Sequence, residues 1–460
     1  MKKSRRSFVK KMLGGAAAAS MPFSLLNAQN EELIALRNKK YGPNDKVRVG
    51  AIGMGIQGFA NCRSILQVPG VELVAVCDLY LGRLDSSREV FGDHLFTTQD
   101  YMKILERKDI DAVIVSTSDH WHDHISIKAM QMGKHVYCEK PMVHKIEEGK
   151  AMIDAQKETG KVLQVGSQRV SSILWNKAGE LYREGAIGDL ILVEAVNDRA
   201  SALGAWQYSI PTDASEKTVD WNAFIGDAPK MGYDPLRFFR WRNYQDYGTG
   251  VAGDLFVHLF SGLHVITGSN GPNRIYSTGG LRFWQDGRDV PDVIMGLCDY
   301  GACDNHPAFN LQLRVNFVDG GGGGSLMKLV GTEGTMEIGW RNIKVKNRKI
   351  SRTPGYGGWD SFRTFTKKQQ AAFEEWHAAT YPKPKAQMIE PTEKEYRMPE
   401  GYSDHVDHHT AFINGIRNNA KIVEDASFGL RAAAPSLASN MSYFENRVIN
   451  WDPDAMKLVD

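Results

Sequence analysis

A chain of 460 residues exceeds one ordinary core and fits two domains, each large enough to fold without disulfide staples. Lys+Arg 56 against Asp+Glu 54 leaves a net charge of +2, a field too weak to argue for nucleic acid or an acidic membrane surface. Small, nearly neutral ligands are therefore the default partners. Five cysteines (Cys62, Cys77, Cys138, Cys298, Cys303) lack paired CxxC spacing, so neither zinc nor a disulfide framework is indicated. They read as small core residues, with a Cys298–Cys303 pair across a turn as the alternative.

At the N-terminus, Ser4-Arg5-Arg6-Ser7-Phe8-Val9-Lys10 precedes a short apolar run, Met12 to Leu26, that ends near Asn27-Ala28-Gln29. This resembles a twin-arginine export signal over residues 1–28, and a periplasmic location is expected. The run is broken by Ser20, Pro22 and Ser24 and falls short of the ~20 residues that span a bilayer, which argues against a permanent anchor.

From Lys46 onward, β-branched runs alternate with stretches of helical spacing, the mark of βαβ units on a parallel sheet. Strands are predicted at Val47–Ile52, Val71–Cys77, Ile110–Ser116, His135–Cys138 and Val162–Val165, and helices at Phe59–Gln67, Tyr101–Lys108, His122–Met132 and Ile146–Thr159. After Gln168 the strand-like runs Ile191–Val196, Val293–Leu297, Leu311–Phe317, Leu326–Val330 and Met336–Ile338 follow one another with few helices between, predicting a largely antiparallel open sheet. The fold class is thus α/β plus α+β, with a dinucleotide-binding domain over 45–168 and a substrate domain over 169–452. Gly320 to Gly324 reads as a hairpin tip or linker, residues 342–398 as an irregular surface insertion, and His405–Asn418 with Ala426–Asn446 as helices packing back on the body.

Gly53-Met54-Gly55-Ile56-Gln57-Gly58 follows the first strand and opens a helix. Its glycines permit a tight turn and close backbone approach to a pyrophosphate, whose charge the helix N-terminus favours. Asp78, 20 residues past Gly58 at the end of the next strand, is placed to bind both ribose hydroxyls and to repel a 2′-phosphate, which favours NAD over NADP; Arg83 nearby tempers that preference. Strand three runs into Ser116-Thr117-Ser118-Asp119-His120-Trp121-His122 and strand four into Glu139-Lys140-Pro141, both at the carboxyl edge where such sheets bind ligands.

With the glycine fingerprint and Glu139-Lys140-Pro141, the chain from Val47 to Asp452 resembles the glucose-fructose oxidoreductase and inositol dehydrogenase family. The resemblance implies that Thr117, His122 and Glu139 line the cofactor and that Lys140 reaches the nicotinamide end and a substrate hydroxyl. It also points to self-association through the open sheet. Asp254 and His258, four residues apart, would share a helix face. Oxidising a carbinol requires removal of the hydroxyl proton, and an imidazole suits that task. In the related dehydrogenases an Asp and a His act beside the lysine. His258 is accordingly assigned as general base or acid, Asp254 as its orienting and substrate-binding partner, and Lys140 as the cation stabilising alkoxide character.

Arg169, Trp241 and Arg242 are candidate substrate contacts, since aromatic faces and arginine donors suit a sugar. His120, His122 and His124, and His405, His408 and His409, match no strong metal template, so no metal is expected. The expected activity is an oxidoreductase of sugars or polyols with tightly held, internally recycled NAD. The alternative is a glycoside hydrolase working through transient oxidation, against which Glu139-Lys140-Pro141 weighs.

Overall fold

The computed structural model describes residues 42, 45–348, 353–381 and 392–459. The export-signal reading of residues 1–28 lies outside the described residues. A first sheet contains β1 (Val47–Ile52), β2 (Val71–Cys77), β3 (Phe96–Thr98), β4 (Ala112–Val115), β5 (His135–Cys138) and β6 (Leu163–Val165), all parallel, in the order β3-β2-β1-β4-β5-β6. Helices cover it, so its central strands are buried throughout, and this explains why VRVGAI and AVIV read as nearly unbroken apolar runs. Strand order reverses between β1 and β4, and the crevice at their carboxyl ends is where a doubly wound sheet takes its ligand.

The second sheet is ten-stranded and mixed. Its strands are β7 (Leu190–Asp198), β8 (Arg274–Gly280), β9 (Val293–Tyr300), β10 (Phe309–Asn316), β11 (Gly324–Gly331), β12 (Gly334–Ile338), β13 (Asn342–Asn347), β14 (Thr392–Arg397), β15 (Ile449–Asp452) and β16 (Lys457–Val459). They run in the order β14-β13-β12-β11-β7-β10-β9-β8-β15-β16, antiparallel except where β7 lies parallel to β10.

Two expectations are corrected here. Of the two readings of Gly320 to Gly324, the hairpin tip is corrected, because β7 sits between β10 and β11; the linker reading stands, as the glycines lie in the connection that crosses β7. The stretch 342–398 is not irregular throughout: β13 and β14 pair at its ends, and the helix Lys367–Thr380 begins with a Thr366/Gln369 capping box. Charged, exposed strands of this kind hide the alternation that reveals a half-buried one. Cys298 is buried and Cys303 exposed, and both are free thiols.

The helix Asp404–Asn418 is capped by Ser403 and reaches back to the first sheet. The Gln164 amide donates to the His408 carbonyl at 2.8 Å, the His408 Nε2 stands 2.8 Å from the Val165 carbonyl, and Phe412 and Ile413 join the core around Val49 and Ile65. The end of the chain thereby ties the two sheets together and fixes the cleft between them. Among the described residues no helix is long and apolar enough to cross a membrane.

Candidate active site

The glycine turn is shaped by backbone contact. Gly53 has φ +90°, and a Cβ there would lie 2.5 Å from the Ser116 carbonyl oxygen; one on Gly58 would lie 2.0 Å from the Gly53 carbonyl oxygen. Gly55 differs, since a Cβ would meet nothing nearer than the Arg83 guanidinium carbon at 4.0 Å. Its bare face opens on a cavity of about 620 Å³ lined by Gly53, Gly55, Asp78, Arg83, Thr117 and Trp241 among others. Packing therefore forces two of the glycines, whereas the third leaves room for something to approach the main chain.

Asp78 ends β2 with its carboxylate held by the Met54 N–H at 2.7 Å and the Tyr80 N–H at 2.9 Å. Arg83 stands 3.4 Å away and lies over the Phe239 ring, 5.3 Å from its centroid. The fixed carboxylate at the rim of the cavity matches a diol, and the neighbouring guanidinium is already engaged. This donor set fits NAD.

A second cavity, of about 740 Å³, adjoins the first and shares with it Ile56, Gln57, Ser116, Thr117, Tyr208 and Arg242. Glu139 braces the junction. Its Oε1 accepts from Gln57 at 3.2 Å, Asn61 at 2.9 Å and Gln168 at 2.8 Å, joining the glycine-rich helix to the segment that leaves the first sheet. His122 is buried, with Nδ1 2.8 Å from the Pro141 carbonyl and Nε2 3.3 Å from that of Thr117; it links the two loops and also borders the cavity.

Lys140 enters the larger cavity and donates to Asp254 twice, to the carboxylate Oδ1 at 2.9 Å and the main-chain carbonyl at 3.0 Å. Arg242 approaches the same Oδ1 at 3.3 Å. Burial alone would raise the Asp254 carboxyl, but the Lys140 and Arg242 charges outweigh it and hold the group well below the usual carboxylate range. Asp254 lies in a π-helical turn, Ala252–Phe256, just before the helix Val257–Thr267. Such turns are rare and occur at functional sites.

His258 borders the same cavity, yet no hydrogen bond joins it to Asp254, and its Nδ1 is buried without a partner. The expected hydrogen-bonded pairing of the two is thus not seen; the cations Lys140 and Arg242 both contact Asp254 through Oδ1. Burial pushes His258 well below the ordinary histidine range, Lys140 and Arg169 add to that, and Asp254 opposes it. The imidazole is therefore neutral near pH 7 and able to accept a proton.

Of the three predicted substrate contacts, Arg169 lines the larger cavity and stacks at 3.9 Å on Trp340. Arg242 lines both cavities, and its guanidinium lies 4.1 Å from the centroid of the Trp241 ring. Trp241 borders the cofactor-side cavity and not the other. Sequence reasoning missed Gln168, Arg199, Tyr208, Trp340, Arg341 and His405, which border the larger cavity. Trp340-Arg341 forms the turn between β12 and β13 and offered a faint signal; the others carry none.

A glycine-turned parallel sheet, a carboxylate just past its second strand, and a lysine lining an adjoining cavity together have the form of a dinucleotide-binding site in a two-domain fold. Residues 47–167 match the model of the "Oxidoreductase family, NAD-binding Rossmann fold". A glycosyl hydrolase family 109 protein of Shewanella baltica is 35% identical over 167 residues, 33% of this chain and 35% of that protein. An inositol 2-dehydrogenase of Salmonella typhimurium is 28% identical over 175 residues, 38% of this chain and 52% of that one. The matches thus span about a third to a half of these relatives. In fold, the chain is similar to levoglucosan dehydrogenase solved with NADH and levoglucosan (TM-score 0.61, 18% identity, 88% of this chain and 99% of that one). It is likewise similar to the WlbA dehydrogenase of Bordetella pertussis solved with NADH and UDP-GlcNAcA (TM-score 0.62, 16% identity, 88% and 99%).

Proposed function

We propose that the protein is an NAD-dependent oxidoreductase acting on a CH–OH group of a sugar, sugar derivative or polyol. The observation that carries this reading is Lys140, which lines the cavity adjoining that of the glycine turn and is fixed by Asp254, with His258 bordering the same cavity. Bound NAD would supply a ring that accepts or returns hydride. Gly53, Gly55, Ile56, Gln57 and Asp78 would hold the dinucleotide, with Thr117, His122, Glu139 and Lys140 around its nicotinamide end, while Gly58, which lines neither cavity, would act by letting the helix pack close to the turn. His258 accepts the hydroxyl proton, Lys140 balances the charge developing on oxygen, and Asp254 acts by holding Lys140 in place.

The twin-arginine motif supports export to the periplasm after folding, with cofactor loaded beforehand and regenerated within each cycle. Self-association through the open sheet is supported by the exposed apolar side chains of Tyr276, Met295 and Leu297 on the neighbouring strands β8 and β9. Mass spectrometry of the folded, exported protein tests the core of this proposal: nicotinamide dinucleotide should be retained, and a sugar panel followed at the nicotinamide absorbance should show turnover. Protein recovered without nicotinamide and active only with millimolar added NAD would defeat internal recycling.

The 35% identity to a glycosyl hydrolase family 109 protein favours one second reading, hydrolysis of a glycoside through transient oxidation. Release of chromophore from aryl glycosides without net NADH formation would select it.

A further inference from the structure

The larger cavity is lined by Lys140, Arg169, Arg199, Arg242 and Arg341 and by Asp119, Glu139, Asp198, Asp254 and Asp404, and most of these carboxylates are already engaged. Asp254 is taken by Lys140 and Arg242, Asp198 by Arg314, Asp119 by the main-chain and hydroxyl groups of Thr249, and Glu139 by amides, while Asp404 accepts from the His405 N–H. Among the described residues Arg169 and Arg199 have no ion pair, and Arg169 has no side-chain hydrogen bond; its guanidinium stacks on the Trp340 indole. Arg199 makes one long contact, 3.4 Å to the Gly204 carbonyl. Both lie near enough to bear on the His258 imidazole. Burial presses on the Arg169 charge, Asp404 relieves part of the strain, and Arg199 adds to it.

Two guanidinium groups lining one recessed site repel each other and lose hydration, and an anion bound by both offsets these costs. A guanidinium also offers a planar fork of donors that matches carboxylate, sulfate or phosphate oxygens. We infer that the substrate is an acidic sugar whose oxyanion substituent binds between Arg169 and Arg199 while its reacting carbinol faces Lys140 and His258. This deepens the reading of the protein as a sugar oxidoreductase and rests on it.

The test uses the protein with its bound dinucleotide, calorimetric titration for binding, and nicotinamide absorbance for hydride transfer. Glucose and galactose are compared with glucuronate and galacturonate, and glucose with its 6-sulfate and 6-phosphate, which separates the three oxyanions. At least one acidic sugar should exceed its neutral counterpart tenfold or more in affinity and in kcat/KM. Arg169→Gln and Arg199→Gln should each cut that preference below threefold, through KM more than kcat, and Arg199→Lys should restore part of it. Arg199→Gln keeps the test valid should loss of the Arg169–Trp340 stack impair folding.

Neutral sugars bound as well as every acidic one, no acidic sugar bound at all, or an acid preference that survives both substitutions would each overturn the inference. NADH formation with neutral sugars in those cases would leave the oxidoreductase reading standing. Tight, arginine-dependent binding of an acidic sugar without hydride transfer would instead uphold the inferred site and remove the reaction assigned to it.

Discussion

Lys140 Nζ lies 2.9 Å from the Asp254 carboxylate and 3.0 Å from the Asp254 main-chain carbonyl, so a loop of the first sheet and a π-helical turn of the second domain meet at one ammonium group. The contact fixes the lysine laterally while one further donor position remains for a substrate oxygen. Lys140→Met keeps length and removes the charge. Turnover should fall 10²–10³-fold, about what loss of one preorganised donor costs, while dinucleotide content by mass spectrometry stays at the parent level. A variant retaining a tenth of parental turnover would sink the role given to this group.

The glycine turn provides a contrast between two neighbouring positions. At Gly53 the backbone is left-handed and a Cβ would overlap the Ser116 carbonyl, so Gly53→Ala should lower the melting temperature and expression together. At Gly55 the space is open, so Gly55→Ala should melt with the parent yet lose dinucleotide tenfold or more, because its methyl stands where the pyrophosphate approaches. Equal retention of dinucleotide by Gly55→Ala and the parent would show that this face is not the cradle.

In the function proposed above, Asp78 is the residue that sets the choice of dinucleotide, through a carboxylate already aimed by two main-chain N–H groups. Asp78→Ser should weaken NAD by about tenfold and narrow the gap to NADP, since Arg83 is then released to meet a 2′-phosphate. Competition of the two dinucleotides for refolded apoprotein measures the ratio, and an unchanged ratio would contradict the assignment.

The legibility of the chain follows burial. β1 and β2 are read to the residue because a strand covered on both faces must be continuously apolar, whereas Phe96–Thr98 is three residues long and Leu81–Phe91 is a largely polar helix, so neither stood out. β14 is a charged, largely exposed edge strand and escapes for the same reason, whereas β13 buries Ile343 and Val345 in alternation, a two-residue signal too short to stand out. The catalytic set was legible only where one short segment carries it: Glu139-Lys140-Pro141, or Asp254 with His258. Arg199, Trp340 and His405 come from the end of β7, a hairpin turn and a late helix, and only the closed fold places them round one cavity.

Glu424 is fully buried between the junction segment and the helix Val257–Thr267, with Oε1 3.2 Å from the Ser261 hydroxyl and Oε2 unpartnered. Burial pushes its pKa up to about 8, the Ser167 and Ser261 hydroxyls oppose this, and the Glu139 charge adds to it. The unfolded chain releases this proton near the ordinary glutamate value while the folded chain keeps it. The native state then binds more protons than the unfolded one, and stability declines as pH rises from about 4 to about 8. Glu424→Gln removes that dependence. It should be more stable than the parent by about 1–3 kcal/mol at pH 8, with the gap shrinking toward pH 5. Urea unfolding at both pH values measures it, and a gap that does not change with pH would refute the cause.

The remaining prediction concerns the base. His258 can accept a proton only as neutral imidazole, and burial, reinforced by the Lys140 and Arg169 charges against Asp254, keeps it neutral far into the acid range. The acid limb of kcat/KM in the oxidative direction should therefore lie well below the ordinary histidine value of about 6.5, so that activity persists at pH 5.5. His258→Gln leaves no acceptor at this position. Turnover should drop 10²–10⁴-fold and the remaining rate should rise with hydroxide across the range, since solvent must then take the proton. A parental limb centred at 6.5 would contradict the electrostatic description while leaving the base in place. A limb that survives the substitution unchanged would move the base elsewhere in the cavity, and Tyr208, which lies at the junction of the two cavities, would be the next group to substitute.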